Sequence, residues 1–326
     1  MKRFSARLRE IEKSSNPNHT MAQTSLRIGT RGSRLARAQA DMVAEALKTK
    51  GAQCEIVAVK TGGDRIQDRP LADAGGKGLF TKELEEALLS GAIDLAVHSM
   101  KDVPVVLPDG LAIAAVLPRE DPRDVFISHK ARTLAGLPRA ARIGTSSVRR
   151  QALVARARPD LEIALLRGNV DTRLKKLDDG EYDSILLAFA GLKRLGMQSR
   201  MTGFMPLEEW LPALSQGAIG IEIRQSDSAI ASLISQLNDP ATEIALACER
   251  AFQLALDGSC RTPIGGLAKY ENNRLSFRGE VIAPDGGGFA ETEFDVPLQG
   301  GAKEAARLGR EAGEALKPRA LKWLVL

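Results

Sequence analysis

The chain has 326 residues, 44% hydrophobic and 27% charged, with a net charge of +5 and a pI near 9.1. That length allows two or three domains with sizeable cores, and no apolar run approaches the length of a membrane span. Aromatic residues are only 4%, too few for the stacking platforms of single-strand nucleic-acid binders, and three cysteines with three histidines make neither a disulfide framework nor a zinc site.

Residues 1–24 are polar and charged, with no apolar core of a secretory signal, and are expected to form a disordered extension in which Met21 is a candidate start. Ser25–Gly29 reads as a strand and Leu35–Lys50 as a helix, with Leu35, Ala38, Met42, Val43, Ala46 and Leu47 as its apolar stripe. Between them lie Arg31 and Ser33, side-chain donors at a helix N-terminus that already favours an anion. Glu55–Lys60 is a second strand. The polar segment Thr61–Gly78, with five glycines, reads as a lid or a disordered loop and has no Walker pattern. A helix over Phe80–Ser90 leads to a buried strand, Ile93–Val97, which breaks into His98, Ser99, Lys101 and Asp102 before Pro104. This is a βαβαβ pattern. A carboxylate beside an ammonium just past a buried strand sits where open α/β sheets bind ligands.

Gly110–Leu117 is another apolar run, and 118–123 reads as a crossing to a second unit that begins at Val125–Ser128. There, Arg142–Gly144 leads to Ser147, Arg149 and Arg150. Leu161–Leu166 leads to Arg167 and Arg173, and Ser184–Phe189 leads to Arg194. Residues 211–217 read as a second crossing, returning to a strand at Ile219–Ile223. Carboxyl ends of parallel strands share one edge, so two facing lobes would line a cleft with guanidiniums and helix N-termini. Such a cleft suits a polyanion, because the planar guanidinium binds two oxygens at once. Arg156 and Arg158 are expected on the solvated face instead.

A helix at Ala241–Leu256 carries Cys248 among apolar neighbours, which reads as a buried structural thiol. Cys260 lies in a loop beside Arg261, where exposure and positive charge favour thiolate, although a tolerated surface cysteine fits equally well. Strands at Ile264–Tyr270, Arg274–Ile282 and Phe289–Val296 and a helix at Ala302–Leu316 form a third, antiparallel unit. The expected fold class is therefore α/β, two lobes with mainly parallel sheets plus a smaller α+β domain with a three-stranded antiparallel sheet. The expected division is 25–117 plus 218–236 as domain 1, 118–217 as domain 2 including hinges 118–123 and 211–217, and 237–326 as domain 3.

The segments IGTRGSRLARAQ (28–39), GGKGLFTKELEEALL (75–89), DLAVHSMKDVP (94–104), REDPRDVF (119–126), IGTSSVRRQ (143–151), LRGNVDTRL (166–174), AGLKRLG (190–196) and SQGAIGIE (215–222) resemble, in this order, the hydroxymethylbilane synthase (porphobilinogen deaminase) family. The resemblance implies two lobes like those of periplasmic solute-binding proteins and a third domain bearing a cysteine. It implies a transferase that condenses four porphobilinogen molecules head to tail into a linear tetrapyrrole, with release of ammonia. It also implies a dipyrromethane cofactor tied by a thioether to Cys260. Carried onto matching positions, Asp102 is the catalytic carboxylate. Cys260, Lys101, Asp102, Ser147, Arg149, Arg150 and Arg173 hold the cofactor, and Arg31, Ser33, Arg167, Arg173 and Arg194 bind substrate carboxylates. Gly75–Gly78 belongs to a mobile loop over the cleft. The residues flanking Cys260 depart from the family's commoner glycine-glycine-cysteine form, and Ser215 replaces a frequent glycine. A cytoplasmic monomer with no metal, no nucleic acid and no membrane partner is expected. The rival reading is a two-lobe binding protein for an anionic solute, which leaves the third domain's cysteine unexplained.

Overall fold

The computed structural model describes residues 25–65, 78–256 and 262–324. The expected disordered extension, most of the glycine-rich loop and Cys260 itself lie outside the described residues. Three sheets organise the chain.

The first sheet takes β1 (Ser25–Arg31), β2 (Gln53–Val59), β3 (Leu95–Ser99) and β4 (Leu111–Val116), together with the later β10 (Ile219–Arg224). Its order is β2-β1-β3-β10-β4, with β1 parallel to β2 and β3 and β10 antiparallel to both neighbours. The second sheet repeats that plan. It is built from β5 (Asp124–Ser128), β6 (Arg142–Gly144), β7 (Glu162–Ala164), β8 (Ser184–Ala188) and β9 (Gly203–Phe204), in the order β7-β6-β8-β5-β9. Here β5 is the antiparallel strand. Both sheets are therefore mainly parallel, and in each the reversed strand is the one that follows a crossing. A chain arriving from the other lobe enters at the cleft edge and must run back through the sheet.

Helices α1 (Arg34–Lys48) and α2 (Lys82–Leu89) connect the strands of the first sheet. Helices α3 (Val148–Ala157), α4 (Val170–Asp178) and α5 (Phe189–Arg194) belong to the second, and α6 (Ser228–Ile234) follows β10. Polar side chains stop the orphan amides at their starts: Ser33 accepts from the Ala36 N–H, Ser147 from Arg150 and Asn169 from Thr172. The buried face of α1 is Ala36, Gln39, Ala40, Val43 and Leu47, a quarter-turn from the expected stripe. Met42 faces solvent, and Leu35 reaches Gly191 of the other lobe.

The buried strand near residue 95 also differs from expectation. It runs through His98 and Ser99, because β10 pairs Gly220 with His98 and Ile219 with Ser99. His98 is satisfied inside the sheet by Glu222, 2.8 Å from its Nε2. A single 3₁₀ turn, Met100–Asp102, then delivers Asp102 to the sheet edge.

The third unit has α7 (Pro240–Ala255) and α8 (Gly301–Ala320) against an antiparallel sheet of β11 (Ile264–Glu271), β12 (Arg274–Ile282) and β13 (Phe289–Pro297). Cys248 and Phe252 of α7 share its core with Leu275, Phe277 and Leu316. At Gly309 of α8 an added Cβ would lie 2.1 Å from the Cys248 carbonyl oxygen, so only glycine allows the two helices this approach.

The two crossings lie side by side. The Glu120 amide donates to the Gly217 carbonyl, and Arg119 Nε donates to that of Gln216. Gly217 has φ +92°, and an added Cβ would meet the Glu120 carbonyl oxygen at 2.3 Å. Glu249 of α7 clamps the two crossings together. Its fully buried carboxylate accepts from Arg119 Nη1 (2.6 Å) and Nη2 (3.2 Å), from the Ser215 amide (2.5 Å) and from the Ala268 amide (2.8 Å). Arg158, expected on a bland surface, instead donates to the carbonyls of Leu134, Ala135 and Leu137. Arg156 stacks over Phe289 with its guanidinium carbon 3.7 Å from the ring centre.

Because Arg119 would be left without its counter-charge, Glu249→Gln is expected to destabilise the protein by roughly 3–5 kcal/mol, the usual cost of breaking a buried ion pair. Urea unfolding monitored by circular dichroism measures it, and a shift within error of zero would remove Glu249 as the clamp.

Candidate active site

The carboxyl ends of β1 and β3 in one lobe and of β6, β7 and β8 in the other carry the residues singled out by sequence. Arg31 ends β1, Ser33 caps α1, and Lys101 and Asp102 complete the turn after β3. Ser147 caps α3, whose first turn holds Arg149 and Arg150. Arg167 follows β7, Arg173 lies on α4, and Arg194 closes α5. The lobes meet over this region, where Arg34 of α1 donates to Asp171 at the start of α4 at 2.9 Å.

The electrostatics show which of these groups are neighbours. Arg173 is pushed down to about 10, first by desolvation and then by Arg150 and Arg167, with Asp102 opposing and Arg31 adding to the fall. Lys101 faces the open cleft but is crowded by protein. Desolvation brings its ammonium to about 8, with Asp102 and Asp124 resisting and Arg150 and Arg149 assisting. Arg167 is lowered by desolvation and by Arg31. Arg31, Lys101, Asp102, Arg150, Arg167 and Arg173 therefore share one field. Burial also lowers Arg194, whose Nη2 donates to the Gly217 carbonyl at 2.5 Å, beside the hinge.

Asp124 decides what the two arginines of α3 do. Its carboxylate accepts from Arg149 Nη2 (2.7 Å), Arg150 Nη2 (2.6 Å) and Nε (3.1 Å), Trp210 Nε1 (3.0 Å) and Gln216 Nε2 (2.8 Å). Desolvation alone would raise this acid; Arg149 and Arg150 outweigh it and hold Asp124 far below the usual carboxylate range. Arg149 and Arg150 are thus buried and committed to an internal partner, with further bonds to the carbonyls of Leu211 and Leu186.

A cavity on the first lobe's side is walled by Arg31, Gln39, Phe80, Thr81, Val97, His98, Ser99 and Asp102. Arg31 stacks on Phe80, 3.9 Å from its centre, and Gln39 bonds Ser99 at 2.8 Å. Sequence reading did not single out Gln39, Phe80, Ser99, Gln216 or Asp124 as site residues. Gln39 offered a signal, being polar within an otherwise apolar helix face. Asp124 offered none, since an acid before a strand looks like any loop residue.

The residues suit a group rich in carboxylates. Cations crowd here closely enough to depress one another, and Arg149 and Arg194 each keep a buried Nε with no hydrogen-bond partner among the described residues. Ser33 and Ser147 spend a lone pair on capping, which leaves each hydroxyl proton available to an anion. Among the described residues, no group of acidic, histidine or cysteine side chains could hold a metal ion.

Two family models match the chain: porphobilinogen deaminase, dipyromethane cofactor binding domain, over residues 26–232, and porphobilinogen deaminase, C-terminal domain, over 244–318. A porphobilinogen deaminase of Nitrobacter winogradskyi is 53% identical over 297 residues, covering 90% of this chain and 93% of its own. One from Nitrobacter hamburgensis is 52% identical with the same coverage. Among solved structures, a periplasmic substrate-binding protein of an ABC transporter from Coxiella burnetii aligns at 16% identity and a TM-score of 0.43, covering 67% of this chain and 93% of its own. A lipoprotein from Bacillus subtilis aligns at 12% and 0.41, covering 65% and 89%.

Lys101 gives a pH test. Its folded value, about 8, lies below the ordinary 10.5, so the folded chain sheds this proton first. The charged ammonium therefore weighs against folding below about pH 8, and stability from this group rises as pH climbs from 8 towards 10.5. In a cofactor-free Cys260→Ser protein, labelling by an amine-reactive reagent, mapped by mass spectrometry, is expected to reach half its limiting rate at Lys101 near pH 8. A midpoint shared with surface lysines would refute the crowded-cation picture.

Proposed function

The chain belongs to the porphobilinogen deaminase family, and from that premise we propose how its cleft works. It is a hydroxymethylbilane synthase, a transferase of tetrapyrrole biosynthesis that deaminates four porphobilinogen molecules and joins them head to tail. When bound, a covalently attached dipyrromethane would supply the primer, its one free pyrrole position taking the first ring and each later ring adding to the one before it.

The observation that carries the residue assignment is the Asp102 carboxylate at the sheet edge among cations that lower one another, while Asp124 is buried and bonded to Arg149 and Arg150. Each porphobilinogen bears an acetate and a propionate, anions suited to such a cluster of cations. Arg31, Ser33, Arg167, Arg173 and Arg194 bind those carboxylates, and Lys101, Ser147 and Arg173 hold the cofactor's. Arg149 and Arg150 contribute through their remaining N–H groups while Asp124 fixes their forks. Loss of ammonia from porphobilinogen leaves an electron-poor cation. The Asp102 carboxylate stabilises that charge at the pyrrole nitrogen and takes the proton released when the new carbon–carbon bond forms.

Cys260 is the anchor. Cys248 is unsuited to the role, being fully buried with its thiol pushed well up by desolvation and then by Glu249. Cys54 lies near the start of β2, opposite Leu26 and away from the Arg31 end that faces the cleft. The domain division at 25–117 plus 218–236, 118–217 and 237–326 follows the three sheets and the two crossings. No helix among the described residues is long and apolar enough to cross a membrane. A cytoplasmic monomer completes the proposal.

Intact mass of the purified chain is expected to exceed the sequence mass by two linked pyrroles, and the Cys260→Ser variant to lack that increment. An unmodified parent chain, unchanged after incubation with porphobilinogen, would favour a two-lobe anion-binding protein. The lobes must also make room for a product that lengthens each cycle. Bridging cysteines placed at Arg34 and Asp171 with a short bis-maleimide in a Cys54→Ser background should stall elongation, seen by mass as one- or two-ring adducts. Full-length product from the bridged enzyme would show that growth needs no parting of α1 from α4.

A further inference from the structure

Past Asp102 the chain leaves regular structure. Met100 is held through its amide to the Ala218 carbonyl, and the Val103 amide returns to Met100. Pro104 has no N–H, and the carbonyls of Val103, Pro104 and Val105 project away from the sheet, towards α7. One side chain of α7 meets all three. Arg250 Nη1 donates to Val103 (3.2 Å), and Nη2 donates to Pro104 (2.6 Å) and Val105 (3.2 Å). One turn earlier, Leu246 packs with Met100 and Val103 in a small buried cluster. The guanidinium is taken out of water for this, which lowers it to about 10 despite Glu222 nearby.

The same helix is fixed at its other contacts. Glu249, the residue before Arg250, grips both crossings, and Ala255, the last residue of α7, stands five positions before Cys260. Adjacent residues on a helix point about 100° apart, so α7 holds the hinge on one side and the Asp102 segment on the next.

We propose that Arg250 is a positioning residue: it mounts the Asp102 segment on α7 of the third unit, so that the carboxylate keeps its place at the edge of the first sheet. The inference rests on the assignment of Asp102 and Cys260 made above. A planar fork with several donors suits three successive carbonyls in a way that a point charge does not. Removing it leaves the acid, the substrate-binding arginines and the anchor intact but lets the turn at Met100–Asp102 shift. Misplacing a catalytic group by about 1 Å costs on the order of 100-fold in rate.

The test compares the holoenzyme with Arg250→Gln and Arg250→Lys, each normalised to the fraction carrying dipyrromethane by intact mass. Arg250→Gln is expected to lose about 10- to 100-fold in kcat with KM for porphobilinogen within about threefold, the split of a transition-state defect. Arg250→Lys, which keeps one multivalent donor, should recover part of the loss. If kcat per loaded enzyme stays at the parental value in both while only thermal stability falls, Arg250 merely fastens the third domain and the proposal is overturned. Should Arg250→Gln fail to fold, the lysine variant decides alone: parental kcat refutes the proposal and a several-fold fall with unchanged KM supports it. Failure of the underlying assignment looks different, because the parent itself would then carry no pyrrole mass.

Discussion

The fold depends on one buried carboxylate. Asp124 begins β5, the strand that enters the second sheet from the first crossing, and it pairs in register with Ala188 at the carboxyl end of β8. That places a negative charge on the cleft floor with no water to solvate it. Two guanidiniums from α3, an indole and an amide answer it. A buried ion is stable only when such bonds repay its desolvation, and here they also do structural work. They pin the N-terminus of α3 to β5 and, through Trp210 and Gln216, tie the second crossing to the first. Without that anion, two buried arginines would repel each other beside Lys101.

Glu249 plays the complementary part from the third unit. It reaches Arg119 of the first crossing, Ser215 of the second and Ala268 of β11. Two carboxylates thus fasten the two crossings, whose backbones are bonded to one another, while the Arg34–Asp171 pair that joins the lobes is exposed.

Much of this was legible from local pattern. Apart from the two-residue β9, which no apolar run announced, the strands from Ser25 to Ile282 and most helices fall within a few residues of where apolar runs and capping residues put them. The order of arginines after successive strands already put them at one edge of each sheet. What pattern missed had a common cause. His98 and Ser99 look like loop residues until β10, more than a hundred positions later, pairs with them. The stripe of α1 rotated because Leu35 packs against the other lobe instead of its own sheet. Arg158 looked solvated because its three carbonyl partners lie in an irregular segment that periodicity cannot place.

Local pattern was enough for the layered α/β plan, the two crossings, the third antiparallel unit and the row of arginines that follows successive strands. Those follow from periodicity, capping chemistry and residue type, which act over a few positions. Only the tertiary structure decided which of those side chains spend their charge internally. Arg149 and Arg150 answer Asp124, Arg250 holds the backbone after Asp102, and Lys101 is crowded into a lowered affinity for its proton. Each depends on groups brought together from distant parts of the chain, and the energy of a charge depends on what surrounds it in space.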